Sequence, residues 1–462
     1  MKQDHLARLR EGQPLSWRQQ VSLALRLSVP AILAQLSSMI MQYIDAAMVG
    51  RLGADASASI GLVTASTWLF NGLTIAAAIA FSVQVAQRIG AKDEADARNI
   101  MKQGLVLCLL LSLLLAGIGA AVARSLPVWL RADPSIHGRA TSYFLIMVLS
   151  LPATQFSNFG ARVLQASGNM RTPSAILVLM CFLDVVFNSL LIFPTRTIRG
   201  ITVPGAGLGV TGAALGTALA HAVGAVLLLY VMLVRSPSLH LRRGEKLRFV
   251  PAQLRRGLGI ALPVAMERSL INSAQITAMG IIAPLGNVSV AANSFAVTAE
   301  ALCYMPGFGV QAAASILVGQ SIGARRRDMA YRLGWLSVVM GMVIQGLAAA
   351  ALYAAAPFII GIMTPDPEVV ALATRALRIV VFIEPLFAAA IVSTGVFQGA
   401  GRTLLSGVFD FASMWGVRIP LTALLTPRYG LVGAWVAMSI ELSFRGVLFL
   451  TRLFRKRWLP PE

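Results

Sequence analysis

Gln42-Tyr43-Ile44-Asp45-Ala46-Ala47-Met48-Val49-Gly50-Arg51-Leu52-Gly53 closes a run from Leu27 to Val49 in which Asp45 is the only charge. A helix crosses the hydrocarbon core of a bilayer with roughly 20 apolar residues, and this run is long enough to do so. A carboxylate in such a segment costs about 2.5–3.5 kcal/mol on insertion scales, so it faces a polar interior and marks an ion or substrate path.

The rest of the chain agrees with a membrane origin. Of 462 residues, 57% are hydrophobic and 13% charged, where a soluble domain carries about 25% charged residues. Mean hydropathy is +0.74. The apolar residues come in long blocks, which predicts an all-α polytopic membrane protein. A β-barrel is excluded, because its strands alternate over about 10 residues. Twelve transmembrane helices are expected near 23–49, 58–82, 99–122, 141–163, 174–194, 207–234, 257–284, 290–318, 332–354, 371–396, 404–426 and 430–451. Arg375 and Arg378 enter the tenth of these and Arg418 the eleventh.

The formal charge is +20, from 39 Lys and Arg against 19 Asp and Glu. The basic residues gather at loops and helix ends, the pattern of topology signals and anionic-lipid contact rather than of nucleic-acid binding. Arg8, Arg10 and Arg18 precede the first span, and Arg88, Lys92, Arg98 and Lys102 lie about the second turn. Arg242, Arg243, Lys246, Arg248, Arg255 and Arg256 separate the sixth and seventh spans. Arg325, Arg326 and Arg327 follow the eighth, and Arg452, Arg455, Lys456 and Arg457 the twelfth. With twelve spans these fall on one side, which is expected to be cytoplasmic, with both termini inside. Arg124, Arg131 and Arg139 are the main exceptions. The first apolar run is too long for a signal peptide and has no cleavage site, so it is expected to stay. Cys108, Cys181 and Cys303 lie in apolar runs and read as small core hydrophobes.

An internal repeat divides the chain. Gln87 and Ile89-Gly90-Ala91 recur as Gln320 and Ile322-Gly323-Ala324, an offset of 233. Pro30 with Pro263, Pro152 with Pro385, Gln165 with Gln398, Gly168 with Gly401 and Leu52-Gly53 with Leu285-Gly286 keep that register. Gly207-Leu208-Gly209-Val210-Thr211-Gly212-Ala213 answers Gly430-Leu431-Val432-Gly433-Ala434 after a shorter loop. The expected organisation is an N-terminal six-helix lobe (1–234), a basic cytoplasmic linker (235–256) and a C-terminal six-helix lobe (257–462). An even number of spans per repeat makes the two lobes parallel repeats. Asp45 maps onto Ala278, and Asp184 onto Val417 beside Arg418. The acids of the first half are therefore not a product of the repeat.

These segments resemble the multidrug and toxic compound extrusion (MATE) transporters, nearest to their DinF-like bacterial branch. The resemblance rests on Asp45 to Gly53, on Gln165-Ala166-Ser167-Gly168-Asn169-Met170-Arg171-Thr172-Pro173, on Leu317 to Ala324, and on Trp415-Gly416-Val417-Arg418-Ile419-Pro420-Leu421. It implies two lobes about a central cavity that opens alternately to either side. It also implies efflux of amphipathic, often cationic small molecules in exchange for inward H⁺ or Na⁺. The helix 1 aspartate of the family is a cation or proton site, and Asp45 is the matching position. Helix 5 of the family carries Asn and then Asp four residues apart; here the order is Asp184 and then Asn188.

The residues themselves group Asp45 with Asp184 and Asn188. The first and fifth spans run in the same direction, and at 1.5 Å per residue Asp45 and Asn188 lie about 8 Å below the outer end. Asp184 and Asn188 are one turn apart on one helix face. A low dielectric favours the neutral acid over the carboxylate, which suits a site that loads and unloads a proton. The second half offers Glu300, Glu267 and Glu384 as cavity acids. Glu300 lies near mid-bilayer before Met305-Pro306-Gly307, which is expected to interrupt its helix; Glu267 is followed by Arg268; Glu384 has Arg378 or Arg418 as prospective partners. Glu441 and Arg445 form an i,i+4 pair. Gln35, Gln42, Tyr43, Asn71, Asn158, Asn272, Asn293, Tyr304 and Met305 are candidates to line a cavity, or else serve interhelical packing.

Gly319-Gln320-Ser321-Ile322-Gly323 matches the hydrolase elbow pattern, but that chemistry needs a strand-to-helix turn and a triad histidine. No H-E-x-x-H, Walker A or C-x-x-C motif is present, so no cofactor, metal site or ATP-driven step is expected. The reading is a monomeric secondary antiporter of a bacterial inner membrane rather than an enzyme. A flippase for a lipid-linked precursor and, more remotely, a membrane-embedded hydrolase using Ser321 are the alternatives.

Overall fold

The computed structural model describes residues 5–130, 133–198, 201–242 and 244–459; Arg131 and Arg243 lie outside the described residues. In the first half, α1 (His5–Arg10) precedes α2 (Trp17–Gly50), α3 (Ala54–Gly90), α4 (Glu94–Val122) and the short α5 (Leu126–Trp129). Then come α6 (Pro134–Leu149), α7 (Leu151–Ala166), α8 (Arg171–Ile192), strands β1 (Pro194–Ile198) and β2 (Ile201–Ala206), and α9 (Gly209–Tyr230). The second half comprises α10 (Pro251–Ile282), α11 (Asn287–Gly323), α12 (Arg327–Met363), α13 (Pro367–Val380), α14 (Glu384–Gly399), α15 (Thr403–Ser413) and α16 (Ile419–Phe454).

Among the described residues, nine helical runs are long and apolar enough to cross a membrane, and α6 with α7, bent by 44°, makes a tenth. The run from Thr403 to Phe454 is 52 residues and is broken at Gly430, whose φ of 61° no helix interior allows. It is therefore two spans. The twelfth is α10, whose low mean hydropathy reflects Arg255, Arg256, Glu267 and Arg268 rather than its length. The chain is thus an all-α polytopic membrane protein with twelve transmembrane helices in two six-helix lobes. Leu113, Leu114, Val226, Leu347 and Phe358 are exposed, as lipid-facing positions are where apolar tails replace water.

The repeat is written into the backbone. Gly53 and Gly286 have φ of 103° and 92°, Gly168 and Gly401 have 95° and 76°, and Lys92 and Arg325 have 61° and 57°. Each pair is 233 positions apart. Glycine enters the left-handed region without steric cost and ends helices there; the two basic residues show that the turn geometry repeats even without glycine. Gly207 and Gly430, at 65° and 61°, are only 223 apart. The ten-residue difference coincides with the antiparallel hairpin β1–β2, which pairs Pro194 with Ala206 and Ile198 with Ile201 ahead of α9.

By packing, the chain forms two compact units. One takes the described residues up to Leu36, Gly90–Lys92 and those from Leu262 on; the other takes Ser37–Ile89 and Asp93–Ala261. The switch points fall inside α2 and α10, each of which carries the repeat-related proline, Pro30 or Pro263, in its helix. The first unit is centred on Trp435, Phe397, Phe449 and Trp458, with Phe397 stacked on Phe449 at 5.8 Å. α1 packs in this unit, where Arg10 donates to Gln320 at 3.1 Å. The second is centred on Phe159, Met101, Leu164 and Leu228.

The linker is part of the second unit and is clamped rather than free. Arg98 of α4 grips Glu245 through Nε and Nη2, at 2.9 and 2.6 Å, and donates to the Ser238 carbonyl at 3.1 Å. Lys102 donates to the Glu245 carbonyl at 3.0 Å, and Asn99 exchanges two 3.0 Å hydrogen bonds with the Arg248 backbone. Paired with two cations, the Glu245 carboxyl is pulled down to about 2 from its ordinary 4.5, chiefly by the Arg98 hydrogen bond.

Candidate functional site

The acids of the first span and the fifth arrive at one place in the second unit. Asp45 lies on α2 five residues before its end, and Asn188 on α8 four residues before its end. Asn188 Nδ2 donates to Asp45 Oδ1 at 2.9 Å and to Asp184 Oδ2 at 3.1 Å. Asp184 and Asn188 are each 1% exposed. Burying so much polarity without partners is costly, so the amide between the two carboxyl groups is the element that makes the cluster tolerable.

By sharing the Asn188 amide nitrogen, the Asp45 and Asp184 carboxyl groups are close neighbours. Two ionised carboxylates are acceptors only and repel; a proton held by either one would relieve that repulsion. Asp184 Oδ1 and Asn188 Oδ1 are buried with no hydrogen-bond partner among the described residues. Around this core stand Thr217 of α9, beside Asp184, and Tyr143 of α6, close to both carboxyl groups. Ser38 and Cys181 pair one turn deeper at 3.8 Å. A glycine makes the fit possible: a Cβ at Gly216 of α9 would run into Asn188 Oδ1. Tyr143, Thr217 and Gly216 carry no charge and had no signal in the sequence beyond lying in apolar spans.

The second-half acids are buried in the first unit, in differing company. Glu267 accepts from Ser406 Oγ at 3.2 Å and makes no ion pair with Arg268 among the described residues. Glu300 is 5% exposed and sits within the influence of Arg418 and Arg445. Its helix is not interrupted: α11 continues through Pro306. Glu384 is paired with neither Arg378 nor Arg418; it accepts from Gln345 Nε2, while Arg378 lies over the Tyr353 ring at 4.9 Å. The Glu441–Arg445 pair forms at 3.0 Å and has a third member, Asp410, 3.3 Å from Arg445. Asp410 is an intramembrane acid that the sequence reading passed over, because its partner is 35 positions away rather than one turn.

Of the polar and aromatic candidates, Asn293 accepts from Trp435 Nε1 at 3.0 Å and Asn71 from Thr74 at 3.3 Å. Tyr304 packs edge-on to Phe308 and Phe387 at 6.0 and 5.7 Å. Gln35, Asn158, Asn272 and Met305 are half-buried, while Gln42 and Tyr43 are exposed. Ser321 is no elbow nucleophile. It is fully buried within α11 and donates to the Leu317 carbonyl at 2.7 Å. No group of three or more His, Cys, Asp or Glu able to hold a metal exists among the described residues.

Comparison with known proteins places this arrangement in context. A family model described as MatE matches residues 30–190 and again 263–424; the two matches begin at the repeat-related Pro30 and Pro263. The probable multidrug resistance protein NorM of Thermotoga maritima is 24% identical over 94% of this chain and 92% of its own length. The like-named protein of Chromobacterium violaceum is 27% identical, over 93% of each chain. Among solved structures, a MATE crystallised in complex with MaL6 has a TM-score of 0.89 at 19% identity, covering 99% of this chain and 100% of that one. A MOP superfamily transporter from Pyrococcus furiosus also reaches 0.89, at 20% identity over 99% and 98%.

Proposed function

The chain belongs to the MatE family, and on that premise we propose that it is a secondary antiporter that expels amphipathic small molecules in exchange for protons. Its place is a bacterial cytoplasmic membrane, which it crosses as a monomer with both termini inside. The multidrug resistance names of its relatives support small-molecule export as the activity.

The observation that carries the reading is the Asp45–Asn188–Asp184 cluster. The Asn188 amide nitrogen, a donor, is the atom set between the two carboxyl groups at 2.9 and 3.1 Å. A metal cation there would face an N–H dipole of the wrong sign, whereas a proton is accommodated between the carboxyl oxygens. This favours H⁺ over Na⁺ as the coupling ion. In the proposed cycle, cargo is held while the pair is deprotonated and Asp45 is drawn away from Asp184. Proton uptake from outside bridges the two, pulls α2 onto α8, and releases cargo outward. Cargo and proton must prefer different states of the protein for the exchange to be coupled.

The test is efflux of a fluorescent organic cation from vesicles under an imposed proton gradient, comparing the wild type with Asp45→Asn, with and without Na⁺. The expected result is loss of gradient-driven efflux in the variant and no Na⁺ requirement in the wild type. Undiminished efflux in a folded Asp45→Asn protein would move coupling to Glu300 and its neighbours. A strict Na⁺ requirement would replace the proton as the coupling ion.

A further inference from the structure

In the repeat register, Ala278 stands where Asp45 does, and Val417-Arg418 stand where Asp184-Val185 do. The place that holds two acids in one half thus holds a guanidinium in the other. Ala278 and Arg418 line a half-open cavity of about 230 Å³, contained in the unit that begins again at Leu262. Gln275 and Met279 of α10, Asn293 of α11, and Trp435 and Met438 of α16 complete its wall with Arg418. The Trp435–Asn293 hydrogen bond of 3.0 Å fixes the orientation of the indole.

Arg418 is under-used by its own protein. Its one hydrogen bond among the described residues runs from Nη2 to the Met438 sulfur, at 3.0 Å. A thioether is a weak acceptor, and a guanidinium has five N–H donors in a planar fork. Among the described residues no carboxylate lies within ion-pair distance of it; Glu300 and Glu441 act on it from farther away. Arginine stays charged under all ordinary conditions and matches a carboxylate in bidentate fashion. Around that fork the wall is mixed: two methionines, an indole and Val297 give an adaptable apolar part, beside the polar Gln275, Asn293, Ser294 and Thr422.

We propose that this cavity is a binding site for the carboxylate end of an aromatic amphiphile, with the acid on Arg418 and one ring system against Trp435, Met279 and Met438. The volume is below the roughly 300–1,000 Å³ of sites that enclose drug-sized ligands, so it holds a ring and its acid rather than a whole drug. The proposal deepens the efflux reading and rests on it for its biological use: the cargo class extends from cations to acids and zwitterions.

The experiment is equilibrium dialysis of 2-naphthoate, and separately of 2-naphthylmethylammonium, against the full chain in nanodiscs of zwitterionic lipid, with empty discs subtracted. Naphthoate is expected to bind and the ammonium not to compete with it. Arg418→Gln should weaken naphthoate binding about ten- to a hundredfold, as loss of a charged hydrogen bond does, and Arg418→Lys by less. Val297→Trp, which fills the cavity and leaves Arg418 in place, should weaken it as well. Equal binding of the two ions, or undiminished naphthoate binding in folded Arg418→Gln, overturns the proposal. Should Arg418→Gln not fold, undiminished binding in Val297→Trp overturns it instead. Naphthoate binding in a protein without efflux activity would uphold this site and remove the efflux reading. Efflux of cations without naphthoate binding would remove this site alone.

Discussion

Asn188 Nδ2 stands 2.9 Å from Asp45 Oδ1 and ties α8 to α2 across 143 positions of sequence. The same nitrogen reaches Asp184 at 3.1 Å, so one amide holds the positions of two carboxyl groups on different helices. The spacing between these acids is therefore set by a residue that does not itself titrate.

Replacing that amide with an apolar side chain of like volume tests its part directly. Asn188→Leu leaves both carboxyl groups without their shared donor, a loss of about 1–3 kcal/mol for a buried polar partner. Proton-driven efflux is expected to fall about tenfold or more, with insertion into the membrane retained. An unchanged rate in reconstituted vesicles would reduce Asn188 to packing.

Gly216→Ala reaches the same cluster without removing a polar atom. The added methyl meets Asn188 Oδ1 and lies 3.0 Å from the Asn188 backbone nitrogen, and backbone cannot swing aside. Overpacking of this kind costs about 1–3 kcal/mol. Lower thermal stability together with weakened coupling is the expected outcome. A fully coupled transporter with wild-type melting would mean that α8 and α9 separate more easily than their packing implies.

Arg445 carries the burial of two acids in the other unit. Arg445→Met strands Asp410 and Glu441, and breaking a buried pair from one side costs about 3–5 kcal/mol. Melting in detergent should drop sharply. It should recover when Asp410→Asn and Glu441→Gln are added, because no uncompensated charge then remains. Failure of the triple variant to recover would assign Arg445 a role in packing, such as its seat 5.3 Å from the Phe387 ring centre.

The linker clamp has a predictable pH range. Glu245 is held below its ordinary 4.5, at about 2. Its stabilising effect is complete above the ordinary value and is lost as pH falls through that range. A nitroxide at Leu247→Cys, an exposed position in a chain whose three cysteines are all buried, should report constant mobility from about pH 8 to pH 5 and a rise only below. Glu245→Gln should raise mobility already at neutral pH, for a loss of about 1 kcal/mol, as befits a partly exposed network. A transition near pH 6–7 in the wild type would contradict the Arg98–Glu245 assignment.

The span count and the repeat were legible because both are carried by local chemistry: long apolar blocks, and glycines and prolines at turns that demand them. Asp45 and Asp184 were legible because charge inside an apolar run has few structural uses, and Asn188 because it lies one turn from Asp184 on the same helix face. Tyr143, Thr217 and Gly216 were not, since a tyrosine, a threonine or a glycine in a membrane helix has many. Asp410 escaped because its partner Arg445 comes from another helix, where no periodicity connects them. Glu384 was given an arginine for a partner, yet the fold supplies the neutral amide of Gln345; nothing local distinguishes the two. The linker read as a basic tether because its contacts to Arg98, Asn99 and Lys102 span 140 to 149 positions.

The division of α2 at Leu36 and Ser37 also sets an order of events during synthesis. The segment up to Leu36 is synthesised before most of its own unit, whose remaining helices begin at Leu262, some 226 positions later. At about 5–20 residues per second, the leading segment waits roughly 10–45 s for the helices it packs against. During that interval its apolar face, including Leu6, Leu9, Leu23 and Leu27, all buried in the finished protein, is without its native partners. Along this segment the nascent chain is therefore a client for lipid or for a chaperone, and the unit of Ser37–Ile89 and Asp93–Ala261 is completed only after the ribosome has passed the linker.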